Sequence, residues 1–344
     1  MTFEITATGR AVPNRRVSND ELAKKIDTSD EWIRSHTGIL NRHIAGDETA
    51  ASDLALEAAK KALALLEGRD SLDEEALAKA ALSLDLIVVA TATPDFIGAP
   101  STACLVQDGL GARNAAAMDI SAGCTGFIYA VEATAGLLSV SDDRKRALVI
   151  GAEILTRFTN WSDRGSCVLF GDGAGALILE KTDAPRQGPG RRGLLRTILK
   201  ADGSGAGHLV FRRGGSRNPY KSGEVVDIPP HIDMNGQAVY NFAVRAVTET
   251  IEEILHREGI SMDDVTRIVP HQANARIVQA AAKRLKVSDD KFFLNIDEYA
   301  NTSAASIPIA LDELNRCKKI KRDDLVLTIG FGGGLTYGAN LIVW

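Results

Sequence analysis

The chain has 344 residues, 45% of them hydrophobic and 25% charged, enough apolar material for two domains or one large α/β domain. Its net charge of −5 argues against nucleic acid as a partner and requires any basic surface to be local. No apolar run reaches membrane-spanning length, and the N-terminus lacks the pattern of a signal peptide. The cysteines Cys104, Cys124, Cys167 and Cys317 have no metal-ligand spacing and are too few for a disulfide scaffold, so a cytoplasmic protein with free thiols is expected.

In chain order, apolar β-like runs alternate with longer helical patterns, the signature of an α/β fold. Residues 18–34 hold two capped helix starts, one at Ser18 with Glu21 three residues on, the other at Thr28-Ser-Asp-Glu-Trp32. An alanine-rich amphipathic helix is predicted over 52–66, and residues 67–83 read as a charged insertion extending it into solvent. Buried strands are predicted at 85–90 and 146–151. Between them, Met118-Asp-Ile-Ser-Ala-Gly-Cys124 passes from a short apolar segment through small residues into a helical pattern. Residues 181–231, rich in Gly, Pro and Arg, read as loops, and 239–255 reads as a helix.

The second half repeats the first. The strand at 86–90 is echoed at 267–271, the helix 102–110 at 275–285, and the approach to Cys124 by the approach to Asn301. The segments at 147–151 and 170–179 return at 325–343. Two copies of one α/β unit, 1–180 and 181–344, would pack about a pseudo-twofold axis and bring equivalent strand ends together. Cys124, His271, Asn301 and Gly332-Gly-Gly334 all lie at such junctions.

Each of these has two readings. A thiol at a helix N-terminus gains thiolate character and backbone donors, although cysteine is also a common small core residue. His271, between a strand and a helix, is placed for ligand contact or for a structural bond; Asn301 could simply cap a helix, and the triple glycine could be a turn or a close backbone approach to substrate. Together Cys, His and Asn fit two chemistries. One is thiol hydrolysis of the papain type, whose local signature is absent around Cys124. The other is acyl transfer to the thiol, with His and Asn donating to the oxygen of an enolate formed by decarboxylation of a malonyl thioester.

The motifs Cys124-Thr-Gly-Phe127, Phe170-Gly-Asp-Gly-Ala-Gly-Ala176, Pro270-His-Gln-Ala-Asn274, Asn301-Thr-Ser-Ala-Ala-Ser306 and Phe331-Gly-Gly-Gly-Leu-Thr336 carry a resemblance, nearly end to end, to the β-ketoacyl-acyl carrier protein synthase III family. The resemblance implies a homodimeric thiolase fold of five layers, αβαβα. It implies that Cys124 takes an acyl group from acyl coenzyme A, and that His271 and Asn301 promote decarboxylation of malonyl-acyl carrier protein. The N–H groups of Cys124 and Gly333 would form the oxyanion hole, with no metal or other cofactor. It further implies that Trp32 and Arg164 stack on the coenzyme adenine, that Asn274 lines the pantetheine tunnel, and that Phe170 walls the acyl pocket. Arg276, Lys283 and Arg284 would meet the acidic carrier protein. A starter-unit synthase of a specialised pathway and a non-catalytic carrier-binding protein are the alternatives.

Two positions depart from the family pattern. His36 stands where an arginine commonly helps hold the coenzyme, and Ala99 stands where a large Phe often closes the acyl pocket from across the dimer. The small residue at 99 predicts acceptance of branched or longer primers.

Overall fold

The structure is a computed structural model describing residues 1–185, 188, 190–223 and 231–344. Five strands form the first sheet in the order Thr2–Ala11, Asp172–Thr182, Arg146–Ile154, Leu86–Ala90, Ala116–Ile120. The first two pairings are antiparallel and the last two parallel. The second sheet runs Gly193–Ala201, Thr336–Val343, Leu325–Gly332, Arg267–Pro270 with the same succession of two antiparallel pairings and one parallel. Its counterpart of the fifth strand is reduced to a single parallel bridge between Ile268 and Phe292. The echo seen in the sequence is therefore a repeat of strand order and direction.

The central strands are apolar runs buried along their whole length, as in Leu86–Ala90 and Leu325–Gly332, because both faces of each sheet are covered. Helices Gly126–Ser139 and Ser306–Arg316 fill the space between the sheets. One core joins Val88 and Val149 of the first sheet, Phe127, Val131, Ile307 and Leu311 of these helices, and Val269 and Val326 of the second sheet. Helices Ala51–Leu66 and Thr102–Leu110 cover the outer face of the first sheet, and Gly236–Glu258 and Ala275–Leu285 that of the second. The result is the αβαβα order expected. Gly151 lets the second half approach the first: a Cβ there would stand 2.2 Å from the carbonyl oxygen of Ala304.

Two segments differ from expectation. Residues 181–231, read as loops, contain the edge strand Gly193–Ala201, the turn Gly203–His208 and the strand Leu209–Phe211, which pairs with Ile232–Met234; part of the segment lies outside the described residues. The edge strand is half-buried and carries Arg196 and Lys200, which pair with Glu258 and Glu253 of the outer helix. Charges and flanking glycines masked its β character. In 67–83, a separate helix Glu74–Leu82 starts on Asp73, which accepts from the Ala76 N–H. Its Ala80 and Ala81 are buried and Leu77 packs on the outer core, so this helix is part of the fold and not a solvated extension.

Candidate active site

Each central helix is preceded by a 3-10 turn, Gly123–Thr125 in one half and Ser303–Ala305 in the other, and the two turns touch. Cys124 lies in the first, half-buried at the junction of turn and helix. The loop after strand Leu325–Gly332 comes down on it. A Cβ at Gly332 would stand 2.6 Å from Cys124 Cβ and 3.0 Å from its Sγ, so close backbone approach is why this position is glycine. The hydroxyl of Thr125 donates to the carbonyl of Thr336 at 3.0 Å, and that of Thr336 lies 2.8 Å from the carbonyl of Ala122, tying the two loops together. Replacing Gly332 with alanine is expected to slow acyl loading of Cys124 about 10- to 100-fold, since overpacking costs about 1–3 kcal/mol and displaces the reacting atoms. Loading kinetics by mass spectrometry would show it; an unchanged rate would mean the loop yields freely.

Burial pushes the Cys124 thiol up to about 11, with the charge of Glu153 adding to the rise. The Ser303 hydroxyl and the N–H groups of Gly333 and Cys124, all directed at Sγ, pull the other way without overcoming it. The thiolate character expected from the helix terminus is thus outweighed by desolvation, and the resting group is a thiol. The N–H groups expected to form the oxyanion hole, those of Cys124 and Gly333, thus both lie close to Sγ.

His271 follows strand Arg267–Pro270, held by its N–H bond to the Ile329 carbonyl at 2.8 Å. The ring is buried and meets Phe331 edge-on, with centroids 5.2 Å apart, and burial pushes the imidazole down to about 3. It is neutral at any working pH. Asn301 is held beside Phe170 by two backbone bonds, Asn301 N–H to the Leu169 carbonyl at 2.9 Å and Gly171 N–H to the Asn301 carbonyl at 3.1 Å. Its side-chain oxygen accepts from the Ser303 N–H at 2.9 Å, which orients the amide so that the NH2 group is the end left for the cavity. The capping role and the donor role considered for Asn301 coexist, one at each end of the amide.

Cys124 stands where two cavities meet. One, of about 430 Å³, is walled by apolar groups including Leu155, Phe170, Leu209, Phe211 and Ile232. The other, of about 250 Å³, leads past His271, Asn301 and Asn274 to Trp32, His36 and Arg276 at the surface. Phe170 lines both. Asn274 caps helix Ala275–Leu285, its oxygen accepting from Arg276 N–H at 2.9 Å, and its amide donates to the His36 carbonyl at 3.0 Å, which pins the tunnel mouth.

Trp32 sits on helix Asp30–Thr37, whose N-cap Ser29 accepts from the Trp32 N–H. The Arg164 guanidinium lies over its ring at 4.2 Å, while His36, one turn along, stacks on it at 4.4 Å with its Nδ1 2.8 Å from the Trp32 carbonyl. Tryptophan and arginine, expected to sandwich an adenine, are here stacked on each other, a contact worth about 0.5–1 kcal/mol at an exposed site that a flat ring entering between them would replace. Arg276, Lys283 and Arg284 are exposed along one helix, and among the described residues none of the three is in an ion pair. Ala99 lies on an exposed loop beside Phe96 and Ile97 and lines neither cavity within a single chain.

Sequence reasoning missed three polar groups under the site. Glu153, fully buried, accepts from Thr93 Oγ1 at 2.7 Å and from the N–H groups of Ala92 at 3.1 Å and Ala304 at 3.3 Å; burial pushes its carboxyl up to about 7 against these bonds. Its signal was a lone acid inside the apolar run of a strand. Ser303 and Ser306, both buried, had no signal beyond belonging to a serine-containing turn.

A family model described as 3-oxoacyl-(acyl-carrier-protein) synthase III matches residues 118–210, and one described as its C-terminal part matches residues 255–344. The chain is 47% identical over 341 residues to a beta-ketoacyl-(acyl-carrier-protein) synthase III of Caldanaerobacter subterraneus subsp. tengcongensis, covering 99% of this chain and 97% of the relative. The crystal structure of 3-oxoacyl-(acyl-carrier-protein) synthase III from Aquifex aeolicus VF5 superposes with a TM-score of 0.85 at 40% identity, over 99% of this chain and all of that one. The priming β-ketosynthase of the R1128 polyketide pathway superposes with a TM-score of 0.86 at 31% identity, over 99% and 96%.

Proposed function

The chain belongs to the 3-oxoacyl-(acyl-carrier-protein) synthase III family, and from that premise we propose that Cys124, His271 and Asn301 divide its two half-reactions between them. The enzyme condenses an acyl-coenzyme A primer with malonyl-acyl carrier protein at the start of fatty acid synthesis. In the first half-reaction Sγ of Cys124 attacks the thioester carbonyl, and the oxyanion faces the N–H groups of Cys124 and Gly333. Collapse expels the coenzyme thiolate, which takes up the thiol proton, so no net charge remains in the buried site.

In the second, the malonyl thioester loses CO2 and the electron pair of the broken bond becomes an enolate. Its oxygen meets the Nε2–H of His271 and the amide of Asn301. The enolate carbon then attacks the acyl carbonyl on Cys124, forming the new C–C bond, and the thiolate leaves and takes a proton from solvent. A neutral imidazole suits this step: it stabilises the growing anion through an N–H without a full charge that would hold the malonyl carboxylate as an ion pair. No atom changes oxidation state in a way that calls for a redox cofactor.

The observation that carries this reading is the position of Cys124 between an apolar cavity and a polar tunnel, with both donors on the tunnel side. Trp32, Arg164, His36 and Asn274 are read as the coenzyme path, and Arg276, Lys283 and Arg284 as the carrier-protein face. The two sheets are read as the two halves, 1–180 and 181–344. The chain is also read as a homodimer, in which the edge strand Ala116–Ile120 and the loop bearing Phe96, 52% exposed, and Ile97, 72% exposed, meet a second copy and bring Ala99 to its acyl pocket. Incubation with acetyl-coenzyme A and malonyl carrier protein should yield a β-ketoacyl product; release of free acid alone would refute the reading.

The apolar cavity also bears on primer choice. With Phe170 and Leu209 as walls and about 430 Å³ of space, isobutyryl- and hexanoyl-coenzyme A are expected to be used within about tenfold of acetyl-coenzyme A, as hydrophobic pockets discriminate weakly per methylene. A steep fall in rate from acetyl to hexanoyl would contradict this.

A further inference from the structure

Attack by Cys124 on a thioester releases a proton inside a buried site, and burial makes the thiol hold that proton tightly, pushed up to about 11. His271 is a poor acceptor for it, because burial pushes the imidazole down to about 3. Another titratable group lies under the site: Glu153, fully buried near the end of strand Arg146–Ile154 and pushed up to about 7. A carboxylate that gains its proton near 7 takes one far more readily than an imidazole near 3, and can also give it back at neutral pH.

The surroundings of Glu153 favour the ionised form as the receiving state. Its bonded partners are donors: the N–H groups of Ala92 at 3.1 Å and Ala304 at 3.3 Å, the Thr93 hydroxyl at 2.7 Å and, more distantly, the Thr91 hydroxyl at 3.4 Å. The Thr93 hydroxyl accepts from the Ile154 N–H and the Thr91 hydroxyl from the Thr93 N–H, so the protons of both are free for the carboxylate. Around Glu153 stand Gly173 on the adjoining strand, Thr91, Ala92 and Thr93 after strand Leu86–Ala90, the turn Ser303–Ala305, and Cys124. None of these is a cation, and Cys124 is the one titratable side chain among them.

The Ser303 hydroxyl joins the thiol to the carboxylate. The turns Gly123–Thr125 and Ser303–Ala305 touch, Cys124 and Ser303 line the same cavity, and the hydroxyl is close to both Sγ and the Glu153 carboxyl. One hydroxyl proton serves one acceptor at a time. Between a thiol and a carboxylate it goes to the charged oxygen, which leaves a lone pair of Oγ for the S–H. Ser303 is fixed there from both ends: its N–H donates to the Asn301 side-chain oxygen at 2.9 Å, and its carbonyl accepts from the Ser306 hydroxyl at 2.8 Å.

We propose that Glu153, acting through the Ser303 hydroxyl, is the proton acceptor for acyl loading of Cys124. As the electron pair of the S–H bond forms the new S–C bond, the thiol proton passes to Ser303 Oγ and the Ser303 proton to Glu153, while the carbonyl π pair becomes the oxyanion. The one negative charge moves from the carboxylate to the oxyanion, and none is created. On collapse the bond to the coenzyme sulfur breaks, and the proton returns along the same path to the departing thiolate. This rests on the reading of Cys124 as the nucleophile.

The test is quenched-flow loading of the full-length enzyme by acetyl-coenzyme A, read by mass spectrometry between about pH 5.5 and 9. Loading by the unaltered enzyme should climb as pH rises through about 7, where Glu153 becomes a carboxylate, and then level off. Glu153→Gln should load about 10²- to 10⁴-fold more slowly above that pH, the range for general base catalysis, and lose the inflection. Ser303→Gly removes the hydroxyl at a φ of 47°, which glycine adopts freely, so it cuts the path while keeping the turn and Glu153 and should show the same two losses. Should Glu153→Gln fail to fold, the rate and pH profile of Ser303→Gly decide alone. Both variants should still decarboxylate malonyl carrier protein, a step that on the proposed division does not use the thiol. Loading at the unaltered rate in either variant, an inflection near 7 that survives Glu153→Gln, or a parallel loss of loading and decarboxylation would overturn the relay. Loading that persists in Cys124→Ala would instead sink the nucleophile reading beneath it.

Discussion

Cys124→Ala is expected to abolish acyl loading outright and to lower condensation by at least about 10⁴-fold, since no other group near the donor pair can form the thioester. Cys104 and Cys317 are exposed elsewhere and Cys167 is buried, so none can substitute. The variant separates the half-reactions. On the proposed division of roles, decarboxylation of malonyl carrier protein uses His271 and Asn301 but not the sulfur, and should persist in Cys124→Ala as CO2 release without a condensed product. Condensation surviving the substitution would mean that a different group accepts the primer.

The complementary result concerns the two donors. His271→Ala and Asn301→Ala should each leave Cys124 able to load while cutting condensation by about 10²- to 10³-fold, the scale of one lost oxyanion donor in a buried site. Asn301→Asp is the sharper probe. The carboxylate can still accept from the Ser303 N–H at 2.9 Å, so the turn is kept, but both amide donors are replaced by an acceptor bearing negative charge beside a growing anion. Its loss should equal or exceed that of the alanine variant. Radiometric CO2 release alongside loading by mass spectrometry checks both, and a variant losing loading and decarboxylation in parallel would point to a collapsed site.

Much of this site was legible in the sequence because the chain is a duplication. Once Leu86–Ala90 and Arg267–Pro270 are seen as equivalent strands, Cys124, His271 and Asn301 fall at equivalent ends and must converge, whatever their separation along the chain. The strand and helix limits followed from apolar periodicity, since these elements are buried on both faces or along one stripe. The edge strand Gly193–Ala201 escaped because the face it turns to the outer helix carries charges, Arg196 and Lys200, whose partners lie about fifty to sixty residues away in the chain.

What could not be read were effects of three-dimensional enclosure. The helix terminus at Cys124 predicted a thiolate, but burial beside Glu153 decides the balance, and no local pattern states how far a sulfur is from water. The roles of Ser303 and Ser306 depend on a chain path that takes non-glycine residues through positive φ, Ala300 at 56° and Ser303 at 47°. Propensity rules place glycine or asparagine at such points. The direct stacking of Arg164 on Trp32, expected only as two sides of an adenine site, was equally hidden, because it joins residues more than a hundred positions apart.

The measurement that bears most directly on the account is intact-protein mass spectrometry of the enzyme after incubation with acetyl-, isobutyryl- and hexanoyl-coenzyme A, followed by a chase with malonyl carrier protein. One acyl group should appear, map to the peptide containing Cys124, and discharge on the chase into a β-ketoacyl carrier protein. An acyl group on any other residue, or one that the malonyl partner fails to remove, would contradict it.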